Sequence, residues 1–159
     1  LDEMARIGHT VVLPSGSRIL DTGGFKGQSR ELQQDEFYNC LETAFGVPRS
    51  HCINMYGMTE LSSQFYDDGN ISCPSVKSGP HWLRTRVVNP LTGESIPDSQ
   101  TGILAHTDLA HFNICTTILT EDAGVAVDNG FQLIGRAAGI EAQGCSMAVD
   151  EFLKAASGT

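Results

Sequence analysis

Apolar and polar positions along the chain fall into two regimes. Over the first third, short apolar runs flank one stretch of helical periodicity. "TVVLPSGSRILDTGG" carries an apolar run, a turn at Pro14-Ser15-Gly16 and a second run, Arg18-Ile19-Leu20, closed by Gly23-Gly24. "SRELQQDEFYNCLETAFGV" places Leu32, Phe37, Cys40, Leu41, Ala44 and Phe45 at helical spacing. Ser29 is the candidate N-cap, and Gly46 and Pro48 end the helix. "HCINMYG" then reads as a strand. Strand, helix, strand predicts one βαβ crossover in a parallel sheet.

The later pattern is shorter and alternating. "HWLRTRVVNPLTGESIPDSQTGILAHTDL" sets Trp82, Val87, Val88, Ile103 and Leu104 in short runs punctuated by Asn89-Pro90, Thr92-Gly93 and Pro97-Asp98. "AGVAVDNGFQLIGRAAG" predicts a hairpin turning at Asp128-Asn129-Gly130. A last helix is expected over "AVDEFLKAA". The fold class is α/β: an α/β segment over 1–75 followed by a mostly β subdomain over 76–159, with a short C-terminal helix.

The chain has 159 residues, enough for one domain with a real core. It is 40% hydrophobic and 18% charged, which excludes disordered and fibrous classes. A net charge of −9 argues against nucleic acid or an anionic membrane surface as partner. No apolar run reaches the roughly 20 residues of a membrane span, and "LDEMARIGHT" does not resemble a signal peptide. Its lack of an initiator Met suggests a piece of a longer protein. The five cysteines (40, 52, 73, 115, 145) include no C-x-x-C pair. That favours a reduced, cytoplasmic protein over a zinc or disulfide framework. Cys145, between small and polar residues in "QGCS", is the one to examine for reactivity.

The densest chemistry lies in "CINMYGMTEL". A glycine after a strand lets the backbone turn at a carboxyl edge, where open α/β sheets bind ligands. Tyr56 offers a flat face to a base, Thr59 a hydroxyl to a phosphate, and Glu60 a hard oxygen to magnesium. The plainer alternative is a core strand, a turn, and a helix opening at Thr59 with Glu60 in its first turn. A metal site at His106, Asp108 and His111 lacks an evident fourth ligand. His51 and Cys52, adjacent on a strand, face opposite sides.

Segment order adds to this. "YGMTE" (56–60) resembles the Y-G-x-T-E motif of the adenylate-forming superfamily, the acyl-CoA synthetases and their relatives. "TGIL" (101–104) resembles its G-E-L strand, with Ile for Glu. "TEDAG" (120–124) resembles its T-G-D motif, with Glu121 for Gly. "DNGFQLIGR" (128–136) resembles its D-G-x-x-x-x-x-G-R hairpin, and "DTGGFKG" (21–27) stands where a Gly-rich turn meets adenine. Within the superfamily, "ILDTGGFKG", "INMYGMTEL" and the late "GCS" look like the LuxE-type acyl-protein synthetases of bacterial bioluminescence. Phenylacetate-CoA ligase-like proteins come next.

The resemblance implies part of an adenylation domain. It also implies a ligase that uses ATP and Mg2+ to activate a carboxylic, fatty acid as acyl-AMP and passes the acyl group to a thiol. It implies Gly23, Gly24, Tyr56 and Gly57 around adenine, and Thr59 at the α-phosphate. Glu60 would serve magnesium, Asp122 the ribose hydroxyls, Arg136 the ribose or phosphate side, and Cys145 as acyl carrier. An acyl acceptor or reductase protein would be a partner. Three departures stand out: no Ser/Thr/Gly-rich phosphate loop, no lid with its catalytic lysine, and Glu141 where many members carry lysine. "GGFKGQS" is not a Walker loop either. These departures leave room for a catalytically incomplete remnant that binds nucleotide or pairs with a second copy through an exposed apolar face.

Overall fold

The computed structural model describes residues 1–22 and 33–137. Helix α1 (Asp2–Ile7) is a short exposed turn of chain. Strand β1 (Ile19–Thr22) and strand β2 (Cys52–Tyr56) pair in parallel, Ile19 with Cys52 through Thr22 with Met55, across helix α2 (Gln34–Phe45). This is the predicted βαβ unit. The sheet is mixed rather than purely parallel, because β3 (Phe65–Tyr66) adds antiparallel to β2.

Helix α2 begins at Gln34 behind an extended Gln33, four residues later than the Ser29 cap predicts. Ser29 and Leu32 lie outside the described residues. The buried stripe is Tyr38, Leu41 and Ala44, with Phe37 and Phe45 half-buried. Tyr38, the most buried of these, was missing from the predicted stripe. Its hydroxyl donates to Asp21 (3.1 Å), which is what allows a polar tip inside. Gly46 ends the helix at φ 65°. The run predicted before Pro14 is no strand. Its Val11 and Leu13 N–H groups donate to Ala44 and Phe45 carbonyls (2.8 and 3.0 Å), capping the end of α2.

The predicted hairpins form a five-stranded sheet in the order β4-β8-β7-β6-β5. Its strands are β4 (Val76–Lys77), β5 (Leu83–Val88), β6 (Thr101–Asp108), β7 (Thr117–Val127) and β8 (Gly130–Arg136). All pairings are antiparallel. The β7–β8 turn falls at Asp128-Asn129, with Asn129 at φ 65°. Tyr66 and Ser78 exchange two backbone hydrogen bonds, joining the edges of the two sheets.

Between the sheets lies a core of Tyr56, Leu61, Phe65, Leu83, Val87, Leu104 and Phe131. The Phe65 and Phe131 rings meet edge to face at 5.1 Å. Burying such side chains supplies roughly 1.5–3 kcal/mol each. The core thus sets the carboxyl end of β2 against the middle of the second sheet. Among the described residues no helix is long and apolar enough to cross a membrane.

Candidate functional site

Strand β2 ends at Tyr56, and the chain turns back at once. Gly57 is exposed, and Met58–Leu61 form a turn closed by Leu61 N–H to the Met58 carbonyl (3.1 Å), with Thr59 and Glu60 exposed at its tip. No helix opens at Thr59; the chain returns as β3, so of the plainer reading the core strand and the turn stand and the helix does not. What redirects it is a buried carboxylate. Asp108, at the end of β6, accepts the Ser62 and Ser63 N–H groups (3.0 and 2.7 Å), the Ser63 hydroxyl (3.1 Å) and the Ala110 N–H (2.9 Å). Burial raises the Asp108 pKa, but these donors outweigh it and hold the carboxyl below its ordinary value. The loop bearing Thr59 and Glu60 is therefore clamped from beneath.

Strand β7 aims the next group. Ile103 pairs with Ala123 and Ala105 with Leu119, so Thr120, Glu121 and Asp122 stand opposite Leu104 alone. Thr120 closes this bulge. Its hydroxyl donates to the Leu104 carbonyl (2.9 Å) and accepts the Asp122 N–H (3.0 Å). A second irregularity lies on β8. Gly124 pairs with Leu133 but Ala123 with Gly135, leaving Ile134 as an extra residue. Gly135 takes φ 143°, a backbone state that residues with a side chain rarely adopt. The extra residue puts Arg136, not Gly135, across from Asp122.

Three of the predicted residues are thereby brought together. Tyr56 donates its hydroxyl to Asp122 Oδ2 (2.7 Å), and Arg136 Nε lies 3.2 Å from Asp122 Oδ1. Arg136 also reaches Glu121 (2.9 Å). Burial, then the charge and hydrogen bond of Asp122, push the Tyr56 phenol well above its ordinary pKa, against the opposing charge of Arg136. Tyr56 is 9% exposed, with Phe65, His106 and Phe131 around its ring. The Asp122 side chain remains 13% exposed and that of Arg136 36%. Gly23, Gly24, Glu141, Cys145 and the predicted last helix lie outside the described residues.

His106 and Asp108 share buried strand β6 but serve different neighbours. His106 Nδ1 sits 2.9 Å from the Thr85 hydroxyl and Nε2 3.4 Å from that of Tyr56. His111 Nδ1 meets the Cys115 carbonyl instead (3.2 Å). Among the described residues no three His, Cys, Asp or Glu side chains could hold a metal together. Thr85 escaped sequence reading, whereas supporting or surface roles are what the sequence suggests for His106 and Asp108 in place of a metal site. The available signal was polar residues inside the apolar run "ILAHTD".

Similarity to known proteins bears on the family and the fold. The chain is 27% identical over 110 residues to the long-chain-fatty-acid–luciferin-component ligase of Vibrio harveyi, a match covering 67% of this chain and 28% of the relative. The fold resembles part of an adenylation domain. A structure of McyG A-PCP complexed with phenylalanyl-adenylate superposes with TM-score 0.63 at 15% identity, covering 86% of this chain and 28% of that one. ATP-bound MatB from Rhodopseudomonas palustris gives 0.54 at 15% identity, over 75% and 25%. The sequence model of the family described as "Acyl-protein synthetase, LuxE" matches residues 4–154. That match spans nearly the whole chain, and so the chain belongs to the LuxE acyl-protein synthetase family.

Proposed function

We propose that this chain carries the ribose and metal side of the ATP site of a ligase that activates a fatty acid as its acyl-adenylate. The observation that supports it is the Tyr56–Asp122–Arg136 cluster beside the clamped Thr59–Glu60 turn. Asp122 keeps lone pairs facing outward and accepts the ribose hydroxyls. Arg136 fixes that carboxylate and adds positive charge on the ribose or phosphate side. Thr59 offers its hydroxyl to the α-phosphate. Glu60, an exposed hard oxygen donor, is the residue to hold Mg2+, which offsets phosphate charge when bound. Tyr56, Gly57, Gly23 and Gly24 are the residues that the family resemblance assigns to adenine.

The reaction follows the family. A carboxylate oxygen attacks the α-phosphorus and pyrophosphate leaves. A thiolate then attacks the acyl carbon, forming a thioester and releasing AMP. Cys145 is the candidate thiol, and an acyl-accepting or reducing protein is the onward partner. Calorimetric titration with ATP tests the site; binding is expected and should disappear in Asp122→Ala. Absence of heat with ATP and with an acyl-AMP analogue overturns the nucleotide reading. Mass spectrometry after incubation with ATP, Mg2+ and a long-chain fatty acid tests the carrier. An acyl adduct that survives Cys145→Ala excludes that residue.

A second reading has its own observation. Leu20 is 61% exposed on the mixed sheet, in register with half-buried Ile53, and Tyr66, opposite Met55, is 39% exposed. Such a face suits a second copy of the chain. Sedimentation as a monomer at all concentrations removes that reading.

A further inference from the structure

A line of hydrogen bonds runs from the second sheet to the carboxylate assigned to ribose. It passes from Thr85 Oγ1 to His106 Nδ1 (2.9 Å), from His106 Nε2 to the Tyr56 hydroxyl (3.4 Å), and from that hydroxyl to Asp122 Oδ2 (2.7 Å). Each neutral member has one hydrogen to place. Asp122, paired with Arg136, only accepts, so the phenol hydrogen points at Asp122. The phenol oxygen is then an acceptor toward His106. Only an imidazole with hydrogen on Nε2 suits it. That form leaves Nδ1 bare, where the Thr85 hydroxyl donates. The opposite tautomer would set two acceptors, Nε2 and the carboxylate, against a single phenol hydrogen. His106 is fully buried, and burial pushes its pKa down to about 4, so the ring stays neutral.

We propose that His106 is a positioning residue. With its hydrogen on Nε2, held between the phenol oxygen and the Thr85 hydroxyl, it keeps the Tyr56 hydroxyl on Asp122 Oδ2 and leaves the remaining lone pairs of that carboxylate for a vicinal diol. The diol rests on the ATP-site reading; the lock does not. Removing His106 frees the phenol to rotate, and Asp122 loses its fixed orientation on one side. The consequence is selective, falling on recognition of the diol more than on the rest of the nucleotide.

Two measurements on this chain separate the parts. Nitrogen-15 NMR of the imidazole should show the neutral Nε2–H form at pH 7, and a mixture of tautomers in Thr85→Val. A ring with hydrogen on Nδ1 overturns the lock whatever the ligand. Calorimetry should then compare ATP with 2′-deoxy- and 3′-deoxy-ATP. Wild type is expected to prefer ATP by about tenfold, as for a hydrogen bond to a charged group. His106→Leu should bring that ratio toward one. His106→Gln, whose amide nitrogen can stand where Nε2 stands, should restore it. A merely structural role would lower stability and leave the ratio alone, and an unchanged ratio in His106→Leu overturns the proposal. Should His106→Leu fail to fold, Thr85→Val carries the same comparison, with a partial loss of preference expected and none overturning it. A wild type without preference overturns the ribose reading of Asp122, while the tautomer still decides the lock.

Discussion

Asp67 and Asp122 each face a cation, yet one is closed and the other open. Asp67 accepts from Asn54 N–H (2.9 Å), Asn70 Nδ2 (3.0 Å), Ser75 Oγ (2.6 Å) and Lys77 Nζ (2.6 Å). Its side chain is 1% exposed and that of Lys77 4%. Burial raises its pKa, but Lys77, Ser75 and the Asn54 N–H more than offset this. Asp122 takes one phenol and one guanidinium and keeps an outward edge. A carboxylate whose lone pairs are all used joins elements; one with pairs left over can meet a ligand. Asp67 joins the middle of β2 to β4, and Asp122 waits between β2 and β8.

The largest way to break this contrast is Lys77→Met. It strands a buried carboxylate and should destabilise the fold by about 3–5 kcal/mol in urea titration. A loss under about 1 kcal/mol would make Asp67–Lys77 as dispensable as a surface pair.

Next is pH. The His106 pKa is pushed down to about 4 in the fold from 6.5, mainly by burial. Between those values the unfolded chain binds a proton that the folded chain refuses. Stability is therefore full above about pH 6.5 and falls as pH drops toward 4, by roughly 3 kcal/mol. Asp67 and Asp108, with lowered pKa values, stabilise the fold above the ordinary carboxylate range and lose that contribution only below it. Unfolding at pH 7 and pH 5 checks this, and His106→Gln should flatten the slope.

A smaller effect is expected of Tyr56→Phe. It keeps the ring and removes the hydroxyl, at about 1–2 kcal/mol of stability, with weaker nucleotide binding read by calorimetry. The smallest stability effect belongs to Arg136→Met. Its pair is partly exposed, so unfolding should shift by less than about 1 kcal/mol, while ATP affinity drops about tenfold. Equal effects of Lys77→Met and Arg136→Met on stability would erase the distinction between the two carboxylates.

Much of the site was legible along the chain because its residues sit in short local patterns. "MYGMTE" announces a strand end with ligand chemistry, and "DNGF" announces a hairpin turn. The same patterns left the local path open in two places. "MTEL" allows a helix start as the plainer alternative, but Asp108 draws Ser62 and Ser63 back and the chain returns as a strand. "TVVL" reads only as an apolar run, and its N–H groups meet the last carbonyls of α2. In both cases the deciding group lies more than thirty residues away.

What the sequence by itself determined is the βαβ unit, the hairpins and the family, since periodicity, turn residues and motif order are local quantities. What the tertiary structure decided is which side chains meet. The pairing of Arg136 with Asp122 depends on one extra residue, Ile134, in β8 and on three residues of β7 facing Leu104. The polarity of the Thr85–His106–Tyr56 line depends on three separate strands converging in one core. Register and burial are properties of packed strands, and a shift of one residue would put Gly135 opposite Asp122 and leave the carboxylate without its cation.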